Sequence, residues 1–253
     1  MNTIFNFPIV NFAISVIVLS VSVQLGALLS KRLGSLQEDE RADLDLVINA
    51  SLTLLALIIG FTFSMAVGRY DQRKNYEEEE ANAIGTEYVR ADLLPSDDGA
   101  RVRKLLRLYL DQRLLFYTVR DPRRLQQIDA ETARLQGEMW STVTRVAHAQ
   151  PTPVTALVAS GMNDVLNRQG YTQAAYWNRI PTGAWILMVS LSICCSFLIG
   201  YGAHRKGTRL FVVLPVLVSI AFFLIADIDS PRRGAIRVLP QNLISLSNSL
   251  PRQ

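Results

Sequence analysis

Cysteine and histidine are the scarcest reactive side chains here, two of each in 253 residues. Cys194 and Cys195 are adjacent, so a disulfide between them would be strained and a metal pair would lack further ligands; both are read as apolar packing. His148 and His204 lie in separate regions. The chain also has no G-x-S-x-G elbow, phosphate-binding loop, dinucleotide glycine pattern or HExxH. These absences argue against an enzyme, and no catalytic residue, metal or cofactor is expected. Neither a period-two run nor a repeat occurs, so essentially no sheet is expected. The net charge of +4 is modest and gives no reason to invoke nucleic acid.

The most informative absence is charge. No charged side chain occurs in residues 2–30, 46–68, 180–203 or 210–226. About 17–25 apolar residues cross a hydrocarbon core of roughly 30 Å as a helix, so each run is long enough to span a bilayer. Four transmembrane helices are expected, near 8–30, 46–68, 181–203 and 210–226. The first run lacks a basic n-region and a clear cleavage site, which favours a retained helix over a removed signal peptide.

Charge is concentrated between the second and third runs, where residues 69–179 hold 16 of the 26 Lys+Arg and 15 of the 22 Asp+Glu. That segment belongs in water. The expected fold is therefore an all-α membrane protein with four transmembrane helices and a helical polar domain inserted between the second and third. Its divisions are residues 1–68 (helices one and two), 69–179 (polar domain), 180–226 (helices three and four) and 227–253 (C-terminal tail).

Small residues recur at every fourth position within the runs. They are Ser22, Gly26 and Ser30 in the first; Ala56, Gly60, Ser64 and Gly68 in the second; and Ser192, Ser196 and Gly200 in the third. Such stripes let backbones approach closely in lipid, where packing rather than hydrophobicity holds helices together. Gly26, Ala56, Gly68, Ser196 and Gly200 are the helix-packing candidates, in a tight bundle and a homo-oligomer. Trp185, with Tyr176 and Trp177 just outside, suits an aromatic belt at the start of run three. Pro215 is expected to kink run four.

The polar segment reads as helices throughout. No stop signal follows Gly68, and no proline occurs until Pro95, so one helix of more than 40 residues is expected to leave the second run. Ser96 with Asp97 and Asp98 resembles an N-cap and an acidic first turn. Asp121-Pro122 opens a further helix, in which Leu125, Ile128, Thr132, Leu135, Met139, Val143 and Val146 fall on one face. Another runs from about Pro153 to Asn167.

Within the long helix lies "YEEEEANAIGTEYVR", residues 76–90. At about 100° per residue, Glu77 to Glu80 cover most of the circumference, so at least one must face a neighbour. The stripe Ala81, Ile84, Tyr88 and Ala91, stepped back by four, reaches Glu77; Glu80, Ile84 and Glu87 form the adjoining edge, while Glu78 and Glu79 fall to solvent. The seam carboxylate has competing roles: an ion pair with Arg73 or with a cation of the "RVRKLLR" helix, or one of a ring of charges at a pore. A third role, a divalent-cation site drawing on Glu77, Glu80 and Glu87 because hard cations prefer carboxylates, has no EF-hand spacing or histidine partner to support it. Asp227, ending run four, opposes the helix dipole and calls for a cation from Arg232, Arg233 or Arg237, or else lines an ion path.

Three stretches resemble one family: "IGFTFSMAVGRYDQRKNYEEEEANAIGTEYVRADLLP", "GMNDVLNRQGYTQAAYWNRIP" and "LIADIDSPRRGAIRV". They are similar to the bacterial bestrophin-like domain of unknown function, a remote relative of the bestrophin ion channels. The resemblance implies an oligomer, a pentamer in true bestrophins, whose second helix lines a pore for small inorganic ions. Gly60, Phe61, Phe63 and Ser64 would then line it, with Phe61 or Phe63 as an apolar constriction, and Glu77, Glu80 and Asp227 would be further ion-path candidates. It also implies a bacterial inner-membrane protein with the polar domain and both termini in the cytoplasm. The basic residues of the short loops, Lys31, Arg32, Arg41, Arg205, Lys206 and Arg209, instead favour those loops as cytoplasmic. A membrane-anchored scaffold or interaction protein without transport activity is the alternative, and a transporter, suggested by Pro215 and Asp227, comes third.

Overall fold

The computed structural model describes residues 8–33, 37–203 and 212–251. In order the helices are α1 (Pro8–Leu33), α2 (Glu38–Arg90) followed by a 3-10 turn (Ala91–Leu93), α3 (Ser96–Thr118), α4 (Pro122–Ala149), α5 (Pro153–Trp177), α6 (Thr182–Tyr201), α7 (Val213–Asp229) and α8 (Gln241–Ser249). Among the described residues there is no strand.

Among the described residues, three stretches are long and apolar enough to cross a membrane: Pro8–Arg32, Asp39–Leu93, and Pro153–Tyr201, which takes α5 and α6 together. The start of the expected fourth span, with Arg205, Lys206 and Arg209 before it, lies outside the described residues. α7 itself has 17 residues. Pro215 occupies its first turn, where the missing N–H breaks no helical bond, so the expected kink is not required.

The chain divides into two compact units. The first comprises residues 1–69 and 179–237, and in it α1, α6 and α7 pack on one another. A Cβ at Gly26 would fall 2.1 Å from the Phe197 carbonyl oxygen, and one at Gly200 would fall 2.0 Å from that of Val23. Only glycine permits so close an approach of α1 and α6. Buried Ser22 donates to the Ile193 carbonyl oxygen at 3.1 Å in the same seam, and Ser196 is buried. Trp185 is buried edge-on against Phe222, centroids 6.0 Å apart.

The second unit comprises residues 70–178 and 238–253. Its core gathers Ala81, Ile84, Tyr88 and Ala91 of α2 and the 3-10 turn, Val102 to Tyr117 of α3, and the Ile128–Leu135–Met139–Val143–Val146 face of α4. Val158, Met162 and Val165 of α5 and Leu243 of α8 complete it. Asp121 caps α4, accepting from the Arg124 N–H at 2.9 Å, with Pro122 at the first helical position. Ser96 does not cap α3: Pro95 holds that position, and Ser96 is already helical. α5 runs on to Trp177, ten residues past its expected end, because Gly170 is tolerated and the next breaker is Pro181. Tyr176 thereby enters the core, its ring 4.9 Å from Phe116 and 5.8 Å from Tyr117, instead of joining an aromatic belt; Trp177 is exposed.

Candidate functional site

The glutamate run sits in the second half of α2, and a single helical turn there meets three neighbours. Glu80 and Arg113 of α3 are both fully buried. Arg113 Nε donates to Glu80 Oε1, its Nη2 lies 3.4 Å from Oε2, and the same Oε2 accepts from the Tyr117 hydroxyl at 3.3 Å and the Thr172 hydroxyl at 3.0 Å. The Arg113 guanidinium also stacks over the Phe116 ring, 4.3 Å from its centre. Burial works against the Arg113 charge, but Glu80 beside it raises the guanidinium's pKa on balance. Burial and then the Glu80 charge push the Tyr117 hydroxyl upward, so that it stays a donor.

Glu77, one turn away, meets the C-terminal helix. Its Oε2 accepts from Asn242 Nδ2 at 2.6 Å and its Oε1 from the Leu243 backbone N–H at 2.9 Å. Leu243 is in the first turn of α8, which has no side-chain cap of its own. A carboxylate at that end satisfies an orphan N–H and favours the positive pole of the helix. Glu79 pairs with Arg168 of α5 at 2.6 Å, half exposed, and Glu78 is exposed. Of the four, only Glu78 has been left wholly to solvent.

In the first unit, Asp227 accepts from the backbone N–H groups of Ala235 and Ile236, each at 2.8 Å. These two amides belong to the loop that carries Arg232, Arg233 and Arg237. Asp229 accepts from the Ile180 N–H at 3.1 Å, with Arg69 and Arg179 each 3.8 Å from its carboxylate. Gly234 completes the turn, since a Cβ there would meet the Asp227 carbonyl oxygen at 2.2 Å.

The bestrophin-like domain matches residues 16–243, nearly the whole chain. The chain belongs to the bestrophin-like domain family. No curated protein matches it. Among solved structures, a bacterial bestrophin homologue from Klebsiella pneumoniae is 15% identical, aligned over 96% of this chain and 99% of that one, with a TM-score of 0.64. A single-substitution variant of that homologue has the same identity and coverage, with a TM-score of 0.61. A third structure, described as a membrane protein, matches at 0.64 with 15% identity and the same coverage. At this identity the likeness is one of fold.

The bestrophin-like chain places its span residues differently from its carboxylates. Gly60, Phe61, Phe63 and Ser64 are all exposed in the single chain, Phe61 to 65% and Phe63 to 40%. Gly60 and Gly68 have no atom within 4 Å of an added Cβ, and Ala56 is exposed. Gly26, Ser196 and Gly200 are gathered at the α1–α6 seam, whereas Ala56 and Gly68 are not among them. Sequence reasoning missed Thr172, Tyr117 and Asn242 as carboxylate partners. The one available signal was the Pro240-Gln241 helix start late in an otherwise polar tail.

Proposed function

We propose that this protein is an ion channel of a bacterial inner membrane, assembled from several copies and conducting small inorganic ions along the membrane part of α2. The observation that carries this reading is the bareness of α2. Of its most apolar 18-residue window only 11% is buried, against 22% for the first candidate span and 33% for the third. Phe61 and Phe63 stand between a small and a hydroxyl side chain there, Gly60 and Ser64, the composition of an apolar constriction beside a polar surface. Packing of α2 against other copies around an axis accounts for a long, bare, aromatic-bearing helix; the family resemblance favours five copies. α7 serves as the fourth span, and both termini and the polar domain lie in the cytoplasm.

In this reading Glu77 and Glu80 position the helix rather than meet ions, because their oxygens are taken by Asn242, Leu243, Arg113, Tyr117 and Thr172. Asp227 likewise holds the turn after α7. The test is ion flux from liposomes holding the purified full chain, with separate anion and cation readouts, for wild type, Phe61→Ala and Phe63→Ala. Flux that rises or changes selectivity in either alanine variant supports the channel. No flux of either sign from folded protein would replace it with a membrane-anchored scaffold.

A further inference from the structure

Glu87 is a third buried carboxylate on α2, and it differs from Glu77 and Glu80 in having no hydrogen-bond partner. It is 0% exposed, and neither Oε1 nor Oε2 has a donor. It lies where α2 meets α5: a Cβ on Gly161 would fall 2.0 Å from Glu87 Oε2 and 2.4 Å from Arg90 Nη1. The carboxyl therefore occupies the space that any other residue at 161 would fill. Ionised, it would be a buried charge without donors, an arrangement that a protein ordinarily avoids by neutralising the group.

The charged groups around it are few. Arg90, on its own helix, favours the ionised form, and Asp164 of α5 opposes it. Both line a cleft of about 320 Å³ beside Gly161, which the Glu79–Arg168 pair also lines. We propose that Glu87 is a proton-operated latch between α2 and α5 of the polar unit: neutral, it stays seated against Gly161, and on losing its proton it swings toward Arg90 and the cleft, loosening that seam. Burial, partly offset by Arg90 and reinforced by Asp164, pushes the carboxyl from 4.5 up to about 8. The folded protein then holds a proton that the unfolded chain releases above about 4.5. Stability falls as pH rises through that window and levels off above about 8. This inference does not depend on ion conduction.

Infrared difference spectra of the full chain in nanodiscs, recorded through a pH titration, test it directly. A neutral carboxylic-acid band should disappear with a midpoint near 8 in wild type and be missing in Glu87→Gln. Gly161→Ala should evict the carboxyl and return its midpoint to the ordinary carboxylate range. Hydrogen exchange of the α5 amides around Gly161, corrected for intrinsic rates, should quicken above the midpoint in wild type and stay level in Glu87→Gln. A wild-type midpoint in the ordinary range, or α5 exchange indifferent to pH, would overturn the latch.

Discussion

Gly200 in the membrane unit and Glu80 in the polar unit are both buried on helices that touch their neighbours closely, but they achieve contact by opposite means. Gly200 has nothing to satisfy, and its lack of a side chain brings the Val23 backbone within reach. Glu80 brings a charge inside and surrounds it with a guanidinium and two hydroxyls. In lipid there is little hydrophobic gain from joining two apolar helices, so close van der Waals approach must do it. In water the apolar core already drives association, and a buried ion pair adds orientation at the risk of large loss when broken.

The largest expected effect is therefore on the polar side. Arg113→Met leaves the Glu80 carboxylate buried without its cation and should cost about 3–5 kcal/mol, read as a lowered unfolding midpoint of the full chain. Combining it with Glu80→Gln should recover much of the loss, because the stranded charge is gone. On the membrane side, Gly200→Val forces a side chain into the Val23 carbonyl and should cost about 1–3 kcal/mol. Gly60→Ala, with open space around it, should leave the unfolding of the single chain unchanged. If the two glycine variants were equally harmful, the contrast between a packed α1–α6 seam and a bare α2 would fail.

Much of this contrast was legible in the sequence. Charge-free runs mark the apolar helices because a bilayer tolerates no unpaired charge at its centre. The Ile84–Tyr88–Ala91 stripe and the α4 face were legible because helical periodicity places core residues without knowledge of their partners. Partners are what periodicity does not give. Glu77 meets Asn242 across 165 residues of chain, and helix geometry offered Arg73, four residues away, as the nearer candidate. Asp227 calls for compensation at a helix end, but backbone amides of a tight turn can supply it as well as an arginine, and only the turn at Gly234 decides. The seat of Glu87 depends on how closely α5 approaches at Gly161, which no spacing within α2 encodes.

Intermediate in size is Glu77→Gln. The amide keeps the shape but loses the charge at the start of α8, and about 1–2 kcal/mol of the docking of that helix should go with it. Faster proteolytic removal of the C-terminal residues would report the loss.

The smallest effect belongs to Glu78, and it sharpens the comparison most. Glu78 is exposed beside two glutamates whose oxygens are occupied, so Glu78→Gln should change stability by about 0.5 kcal/mol or less. Its value lies in flux. Since the oxygens of Glu77 and Glu80 are held by the chain itself, Glu78 and the half-exposed Glu79 are the members of the run with room to meet an ion. If selectivity is set in the membrane part of α2, the anion-to-cation flux ratio of Glu78→Gln in liposomes should equal that of wild type. A shifted ratio with unchanged stability would instead put a ring of carboxylates on the conduction path, because a solvated side chain with no structural role can alter selectivity only by its charge.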